Sequence, residues 1–255
     1  MIRERTLRYV RGSELRSRHF ACKCLKTSEQ MTIFKNSLHT ILQRIHQAEE
    51  KYHRQPGDVS LLAVSKKQSI EKIRDAFLAG QKKFAENYLQ EALQKQQELR
   101  DLAIEWHFIG TIQSNKTKSI AAHFDWVHSV NRLVIAERLN QQRPAHLNPL
   151  NICIEINIDE EESKSGVRPT DVAALAKNIM ALKRLTLRGL MVIPEKNNSL
   201  LAFQKTAALQ QQLIHDGFPL DTLSMGMSND FEVAIAAGST IVRIGTAIFG
   251  ERGIL

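Results

Sequence analysis

Lys66 is the residue whose type and position point most directly to chemistry. It follows the apolar run 61–64 (Leu-Leu-Ala-Val), where a buried strand should end. A lysine is costly to bury unless it is paired or has chemical work. In a partly desolvated site, a lysine amine can attack a carbonyl and form a Schiff base. The alternative is a lysine that snorkels to solvent at the rim of a sheet, and the surrounding residues decide between the two.

Two later segments have the composition of anion-binding turns. Residues 226–230 (Gly-Met-Ser-Asn-Asp) and 245–247 (Gly-Thr-Ala) place small and hydroxyl residues between a strand and a helix start. Backbone N–H groups at such places attract anions. Ser228, Gly245 and Thr246 are therefore candidates for holding a phosphate. The alternative is that the same loop residues only cap the following helices.

Arg243 and two histidines lie inside strand-like runs. Arg243 interrupts the apolar run 240–245, and a guanidinium that cannot easily lose its proton needs an acceptor when it is buried. That acceptor is either a carboxylate at the rim or a ligand atom such as a pyridine nitrogen, and the neighbouring phosphate loops favour the ligand. His107 and His128 follow tryptophans, where hydrogen-bonded core histidines are more common than acid–base or metal-binding ones.

The elements that must position these residues alternate between strands and helices. A long amphipathic helix over about residues 32–53 is followed by eight apolar runs with helical patterns between them. The predicted strands are 59–65, 83–85, 106–109, 126–129, 152–156, 187–192, 222–225 and 240–244. Such alternation requires parallel pairing.

Eight strand–helix units in about 200 residues match a (β/α)8 barrel. A doubly wound open sheet would show a glycine-rich fingerprint after the first strand, and residues 65–69 (Ser-Lys-Lys-Gln-Ser) have none. We therefore predict an α/β fold, a single (β/α)8 TIM barrel over residues 31–255 with no second domain. The C-terminal ends of its strands should carry the site.

A lysine amine, two phosphate-binding loops and a buried arginine at one barrel mouth predict pyridoxal 5′-phosphate (PLP) as the cofactor. Lys66 would hold the aldehyde, the two loops the phosphate and Arg243 the ring nitrogen. An arginine at that position leaves the nitrogen unprotonated, which makes the ring a poor electron sink. This favours holding the cofactor, or simple proton transfer, over carbanion chemistry.

Composition and charge exclude several other classes. The 255 residues are 43% hydrophobic and 24% charged, as in ordinary globular proteins, and no apolar stretch approaches the roughly 18 residues of a membrane span. Of the net charge of +8, most belongs to residues 1–30, which hold eight basic and three acidic side chains. We expect this basic tail to be disordered or not native, with Met31 as the natural start, and we expect no nucleic-acid partner.

Cysteine usage indicates a reducing compartment. Cys22, Cys24 and Cys153 are an odd number and are not framed by histidines, so they predict neither a disulfide scaffold nor a zinc site. We expect a cytoplasmic protein without a metal site.

Nine segments resemble the pyridoxal phosphate homeostasis protein family, in the family's order, from about residue 35 to 252. They are 62–66 (Leu-Ala-Val-Ser-Lys), 85–88 (Ala-Glu-Asn-Tyr), 106–110 (Trp-His-Phe-Ile-Gly), 113–116 (Gln-Ser-Asn-Lys), 128–132 (His-Ser-Val-Asn-Arg), 164–166 (Lys-Ser-Gly), 189–194 (Gly-Leu-Met-Val-Ile-Pro), 224–228 (Ser-Met-Gly-Met-Ser) and 238–250. The last of these is long enough to be highly specific. Ala85 and Thr111 depart from the family pattern, and we expect only modest loop changes there.

The resemblance implies a barrel of the alanine racemase N-terminal-domain type that carries PLP as a Schiff base on Lys66. It implies a carrier or buffer for the cofactor, with PLP-dependent apo-enzymes as recipients, and not an enzyme. The positions that match the family's cofactor site, besides Lys66, are Asn87, Ser228, Arg243, Gly245 and Thr246. We expect the chain to work as a monomer.

Two other functions stay open from the sequence. A PLP-dependent amino-acid racemase needs two acid–base groups on opposite faces of its substrate, and Tyr88 is the only nearby tyrosine in a family motif. A basic RNA-binding module is supported almost wholly by the charge of residues 1–30.

Overall fold

Eight parallel strands close into a barrel in the computed structural model, which describes residues 34–161, 164–195 and 199–250. Neighbours along the chain pair in order, and the last strand pairs with the first. The strands are β1 (Ser60–Val64), β2 (Lys83–Glu86), β3 (Glu105–Phe108), β4 (Trp126–Val130), β5 (Leu150–Ile156), β6 (Leu185–Val192), β7 (Thr222–Ser224) and β8 (Ile241–Ile244). The predicted (β/α)8 barrel is confirmed. The prediction for residues 1–30 lies outside the described residues.

Helices surround the barrel and connect its strands. They are α1 (residues 34–51), α2 (Ile70–Leu78), α3 (Leu89–Glu98), α4 (Thr117–His123), α5 (Leu133–Gln142), α6 (Val172–Met180), α7 (Ser199–His215), α8 (Phe231–Ala236) and α9 (Thr246–Phe249). The Ser69 side chain accepts a hydrogen bond from the Lys72 backbone N–H at 3.4 Å, so Ser69 caps α2 as its sequence predicts.

Helix α1 ends earlier than the predicted residue 53. His53 takes a left-handed conformation (φ 55°), and the Arg54 N–H donates to the Glu49 carbonyl at 2.8 Å, which closes the helix before the proline–glycine turn. The buried Glu49 carboxylate then accepts hydrogen bonds from the N–H groups of Gly57 (3.1 Å) and Val59 (2.8 Å). Glu49 therefore fixes the connection from α1 into β1.

The two faces of the barrel sheet have different compositions. Outward-facing side chains such as Phe84 and Phe108 pack with the helices in one large apolar core. Inside the barrel the apolar groups are small: Leu62, Ala85 and Ile241 form one, and Trp126, Cys153 and Met191 another. Because side chains alternate along a strand, Glu105 and His107 lie on the face of β3 opposite to Phe108. The barrel interior is thus partly polar, unlike the layer around it.

Gly189 allows β6 and β7 to approach closely where it pairs with Thr222. An added Cβ at Gly189 would lie 1.8 Å from the carbonyl oxygen of Thr222. We predict that Gly189→Ala lowers the free energy of unfolding by about 3 kcal/mol, measured by urea denaturation. Gly57→Ala is the control, because a Cβ there meets nothing within 4 Å and only the φ of +89° resists it, at about 1 kcal/mol. Equal losses in the two variants would contradict the role given to Gly189.

Candidate functional site

A cavity of about 550 Å³ opens at the C-terminal ends of the strands, within the range of small-molecule sites. Residues from the loops after β1, β2, β6, β7 and β8 meet in its wall. All six residues predicted for the site line this cavity, namely Lys66, Asn87, Ser228, Arg243, Gly245 and Thr246. The fold therefore brings together residues that are far apart in the sequence.

Lys66 is half-buried and lies two residues after the end of β1. The backbone on both sides of Lys66 is held by hydrogen bonds. Lys95 Nζ donates to the Ser65 carbonyl at 2.6 Å, and the Lys67 N–H donates to the Glu91 carboxylate. Lys67 itself takes a left-handed conformation with φ 58°, which is costly for a non-glycine residue. The loop that presents Lys66 is thus fixed by neighbours from β2 and α3.

A buried ion pair anchors this support. Lys95 Nζ lies 2.7 Å from Glu86 Oε1, and the two side chains are 5% and 0% exposed. Glu86 Oε1 also accepts a hydrogen bond from the Ser65 hydroxyl at 2.7 Å. Burial raises the pKa of Glu86, against the lowering effects of Lys95 and Ser65. The pair therefore positions the loop at a large desolvation cost. Breaking the pair would leave a buried charge without a partner.

Arg243 is buried at the floor of the cavity and bonds to protein acceptors. Its Nη1 donates to the Ser224 carbonyl and, at 2.9 Å, to the Ser224 hydroxyl, and its Nη2 donates to the Val192 carbonyl at 2.9 Å. These bonds use three of the five guanidinium N–H donors. Within the described residues Arg243 has no ion-pair partner, so the alternative of a rim ion pair with a carboxylate is not observed.

Three further groups, Asp230, Cys153 and Glu155, face the buried guanidinium. Burial lowers the pKa of Arg243 to about 10, opposed by the charges of Asp230, Cys153 and Glu155. Burial raises the pKa of Glu155 to about 7, opposed by Arg243 and by a hydrogen bond from Asn131. At neutral pH Arg243 is therefore cationic, while Glu155 is partly protonated.

Asn87 adds a polar group without a protein partner. It follows β2 and lines the cavity, and its side-chain Oδ1 is buried without a hydrogen-bond partner among the described residues. An unsatisfied buried acceptor is costly. A ligand that donates to this oxygen would remove the cost.

The loops after β7 and β8 meet beside β1. Gly226 has φ +93°, and a Cβ there would lie 2.6 Å from that of Ala234, so the turn requires glycine. Gly245 approaches the Val64 carbonyl so closely that an added Cβ would lie 3.0 Å from its oxygen. Helix α8 begins after Asp230 and has no side-chain cap, so Ser228 is not used as a helix cap.

The two histidines are core residues, as their sequence context predicts. His107 and His128 are fully buried, and both are hydrogen-bonded. Burial lowers the pKa of His107 and holds the pKa of His128 well below its usual value. The described residues contain no group of three or more histidines, cysteines or carboxylates that could hold a metal ion. No helix in the described part of the chain is long and apolar enough to cross a membrane.

Sequence reasoning missed Glu155 and Lys95. Glu155 carried a signal, because it is a carboxylate between two isoleucines in a predicted strand. Lys95 carried none, since a lysine in a polar helix is normally exposed. Only the packing of α3 against β2 shows that it is buried.

Comparison with known proteins identifies relatives over most of the chain. The family model described as "Alanine racemase, N-terminal domain" matches residues 36–253. A pyridoxal phosphate homeostasis protein of Pseudomonas aeruginosa is 52% identical over 223 residues, which are 87% of this chain and 97% of that one. Its counterpart in Vibrio cholerae is 50% identical over 230 residues, covering 87% and 98% of the two chains.

A solved structure shares the fold. PipY of Synechococcus elongatus, solved with PLP bound, is 35% identical with a TM-score of 0.73, and the match covers 82% of this chain and all of that one. The family model and the solved structure are thus both consistent with the single barrel described above.

We predict that replacing one partner of the Lys95–Glu86 ion pair lowers the free energy of unfolding more than replacing both partners does. Lys95→Met should lower the free energy of unfolding by about 3–5 kcal/mol, because Glu86 stays buried without its partner. The double variant Lys95→Met with Glu86→Gln should recover at least about 1 kcal/mol, because the uncompensated charge is gone. Urea denaturation of both variants measures this, and a double variant that is less stable than the single one would contradict the assignment.

We predict a pH-dependent contribution of Glu155 to stability. Its folded-state pKa of about 7 lies above the usual 4.5, so the folded protein holds a proton that the unfolded chain releases, and stability falls as pH rises through this window. The difference in unfolding free energy between wild type and Glu155→Gln should therefore change by about 2.5 kcal/mol between pH 5 and pH 8 in the variant's favour. Glu137→Gln, on the outer helix α5, controls for the loss of one carboxylate. A constant difference between wild type and Glu155→Gln would exclude this role.

Proposed function

Because the chain belongs to the pyridoxal phosphate homeostasis proteins and its barrel to the alanine racemase N-terminal-domain family, we propose that it binds PLP in the cavity at the barrel mouth. Its function is to carry or buffer this cofactor. The observation that carries the proposal is the meeting of Lys66, Arg243 and the two glycine-containing loops in one cavity of about 550 Å³.

Each lining residue has a part that its chemistry fits. The Lys66 amine joins the cofactor's aldehyde as a Schiff base, with a C=N bond replacing C=O and one water leaving. Ser228 and Thr246 provide hydroxyls and, with Gly245, backbone N–H groups for the phosphate. Asn87 presents a buried Oδ1 that has no hydrogen-bond partner among the described residues, which suits a polar ligand.

Arg243 sets the electronic role of the site. With a pKa of about 10 the guanidinium is cationic at neutral pH, so it donates to a ring nitrogen and does not supply that nitrogen with a proton. PLP acts as a strong electron sink when its ring nitrogen is protonated. An arginine donor therefore supports holding the cofactor more than catalysis on it.

The alternative of a racemase has less support from the cavity. Racemization needs acid–base groups on both faces of the substrate, and Tyr88 is 52% exposed and is not among the cavity-lining residues that the structure describes. Lys66 would then serve one face alone. We accordingly propose a non-enzymatic, cytoplasmic and monomeric protein that delivers PLP to PLP-dependent apo-enzymes.

We predict that the purified protein shows an absorbance band near about 420 nm, from the Schiff base, and that Lys66→Ala abolishes it. Lys67→Ala is the matched control, because it removes the adjacent, exposed lysine and should keep the band. A wild type that shows no band after incubation with PLP would contradict PLP binding. Rapid racemization of alanine by the wild type would contradict the non-enzymatic role.

A further inference from the structure

A chain of hydrogen bonds crosses the barrel interior from Arg243 to the opposite rim. Arg243 Nη1 lies 2.9 Å from the Ser224 hydroxyl, which lies 2.8 Å from His128 Nδ1. His128 Nε2 lies 2.8 Å from His107 Nδ1. His107 Nε2 lies 2.8 Å from the Glu105 carboxylate, whose side chain is 39% exposed. Four strands, β8, β7, β4 and β3, thus contribute to one continuous chain.

The identity of the two ends determines the direction of every bond. A guanidinium only donates, so the Ser224 oxygen accepts from Arg243, but its second lone pair leaves the bond to His128 open from this end. At the other end the Glu105 carboxylate only accepts, so His107 carries its proton on Nε2 and donates to Glu105. With both rings neutral, His107 Nδ1 then accepts from His128 Nε2–H, and His128 Nδ1 accepts from the Ser224 hydroxyl. Both histidines are neutral and each has a single tautomer.

The charges around the chain agree with this assignment. Burial lowers the pKa of both histidines. The hydrogen bond from His107 is the main cause of a lowered pKa at Glu105, and Lys83 and Arg188 act in the same direction. Asp125 also faces His107, while Asp230, Cys153 and Glu155 face Arg243. The chain therefore runs from a cation at the cavity to an anion at the rim.

The barrel does not need polar residues to fill its interior. One side of the barrel interior is filled by Leu62, Ala85 and Ile241, and replacing a buried polar network by such residues is often neutral or stabilising. A satisfied network instead gives a unique arrangement of its members. Here the network ends on the one member that lines the cavity, Arg243.

We propose that Ser224, His128, His107 and Glu105 are positioning residues for Arg243. Their one-way hydrogen bonds fix the rotation of the guanidinium, so that the donors not used by the protein point into the cavity, and they spread its charge towards Glu105. This role rests on the proposed function only where it concerns PLP. The order of the chain itself is a property of the ligand-free protein.

The ligand-free protein allows a direct test by ¹⁵N NMR of the histidine rings. Between about pH 6 and pH 8 both His107 and His128 should be Nε2–H tautomers with an unprotonated Nδ1. Glu105→Ala should shift the His128 ring signals although Glu105 does not touch His128, whereas Asp101→Ala, at an exposed carboxylate outside the chain, should not. An Nδ1–H or doubly protonated ring, or His128 signals unmoved by Glu105→Ala, would overturn the proposal.

A second test compares two buried serines. Ser239 is as buried as Ser224 but donates to the Met225 carbonyl at 2.7 Å and lies outside the chain. Ser224→Ala should weaken PLP binding about tenfold, because a hydrogen bond to a charged group is lost, while Ser239→Ala should leave the affinity within about twofold. Relaxation of the Arg243 Nε signal in ligand-free protein should show greater motion in Ser224→Ala only.

The two tests separate this inference from the proposed function. If the wild type fails to bind PLP, the cofactor assignment fails, and the ring tautomers and Arg243 motion still decide whether the chain positions the arginine. If PLP binds but Ser224→Ala and Ser239→Ala lose the same affinity, the positioning role is wrong and the cofactor assignment stands.

Discussion

The burial of the Arg243 guanidinium, which has no ion-pair partner in the part of the chain that the structure describes, is the constraint on which the site depends. A cation inside a barrel must donate its hydrogen bonds to acceptors that cannot move, since desolvation alone would expel it. The acceptors come from the Ser224 carbonyl and hydroxyl and the Val192 carbonyl, at the ends of β7 and β6. Those strands can supply them together because Gly189 lets β6 lie against Thr222.

The same constraint explains why the barrel has two kinds of interior. Around Leu62 the inward side chains are apolar and need no partners. Around Arg243 each buried polar group needs a hydrogen-bond partner. Ser224 is hydrogen-bonded to His128, and His128 to His107. His107 is hydrogen-bonded to Glu105, which is half-exposed to solvent. A buried polar group can be satisfied only by another polar group or by water. The polar chain therefore ends where the barrel meets solvent.

The fold could be predicted from the sequence because parallel strands are buried on both faces and therefore appear as short apolar runs. All eight predicted runs overlap observed strands. The six candidate residues lie together in the wall of one cavity because each follows or lies in such a run, and a barrel places those ends together. The end of α1 could not be predicted from the sequence, since it depends on the left-handed conformation of His53 and on Glu49, whose partners lie beyond the helix. Lys95 and the chain behind Arg243 were also inaccessible, because their contacts join strands that are distant in sequence.

The two hydrogen-bond networks around the cavity support different residues, one Lys66 and the other Arg243. Next to Lys66, an ion pair between Lys95 and Glu86 holds the backbone of the loop that carries this lysine, and Lys66 itself lines the cavity. Behind Arg243, uncharged groups accept the hydrogen bonds, and Asp230 and Glu155 act on its charge without forming an ion pair with it among the described residues. A carboxylate bound directly to Arg243 would weaken its donors towards a ligand. A remote carboxylate, reached through two neutral histidines, supports the arginine's orientation while leaving its charge directed at the ligand.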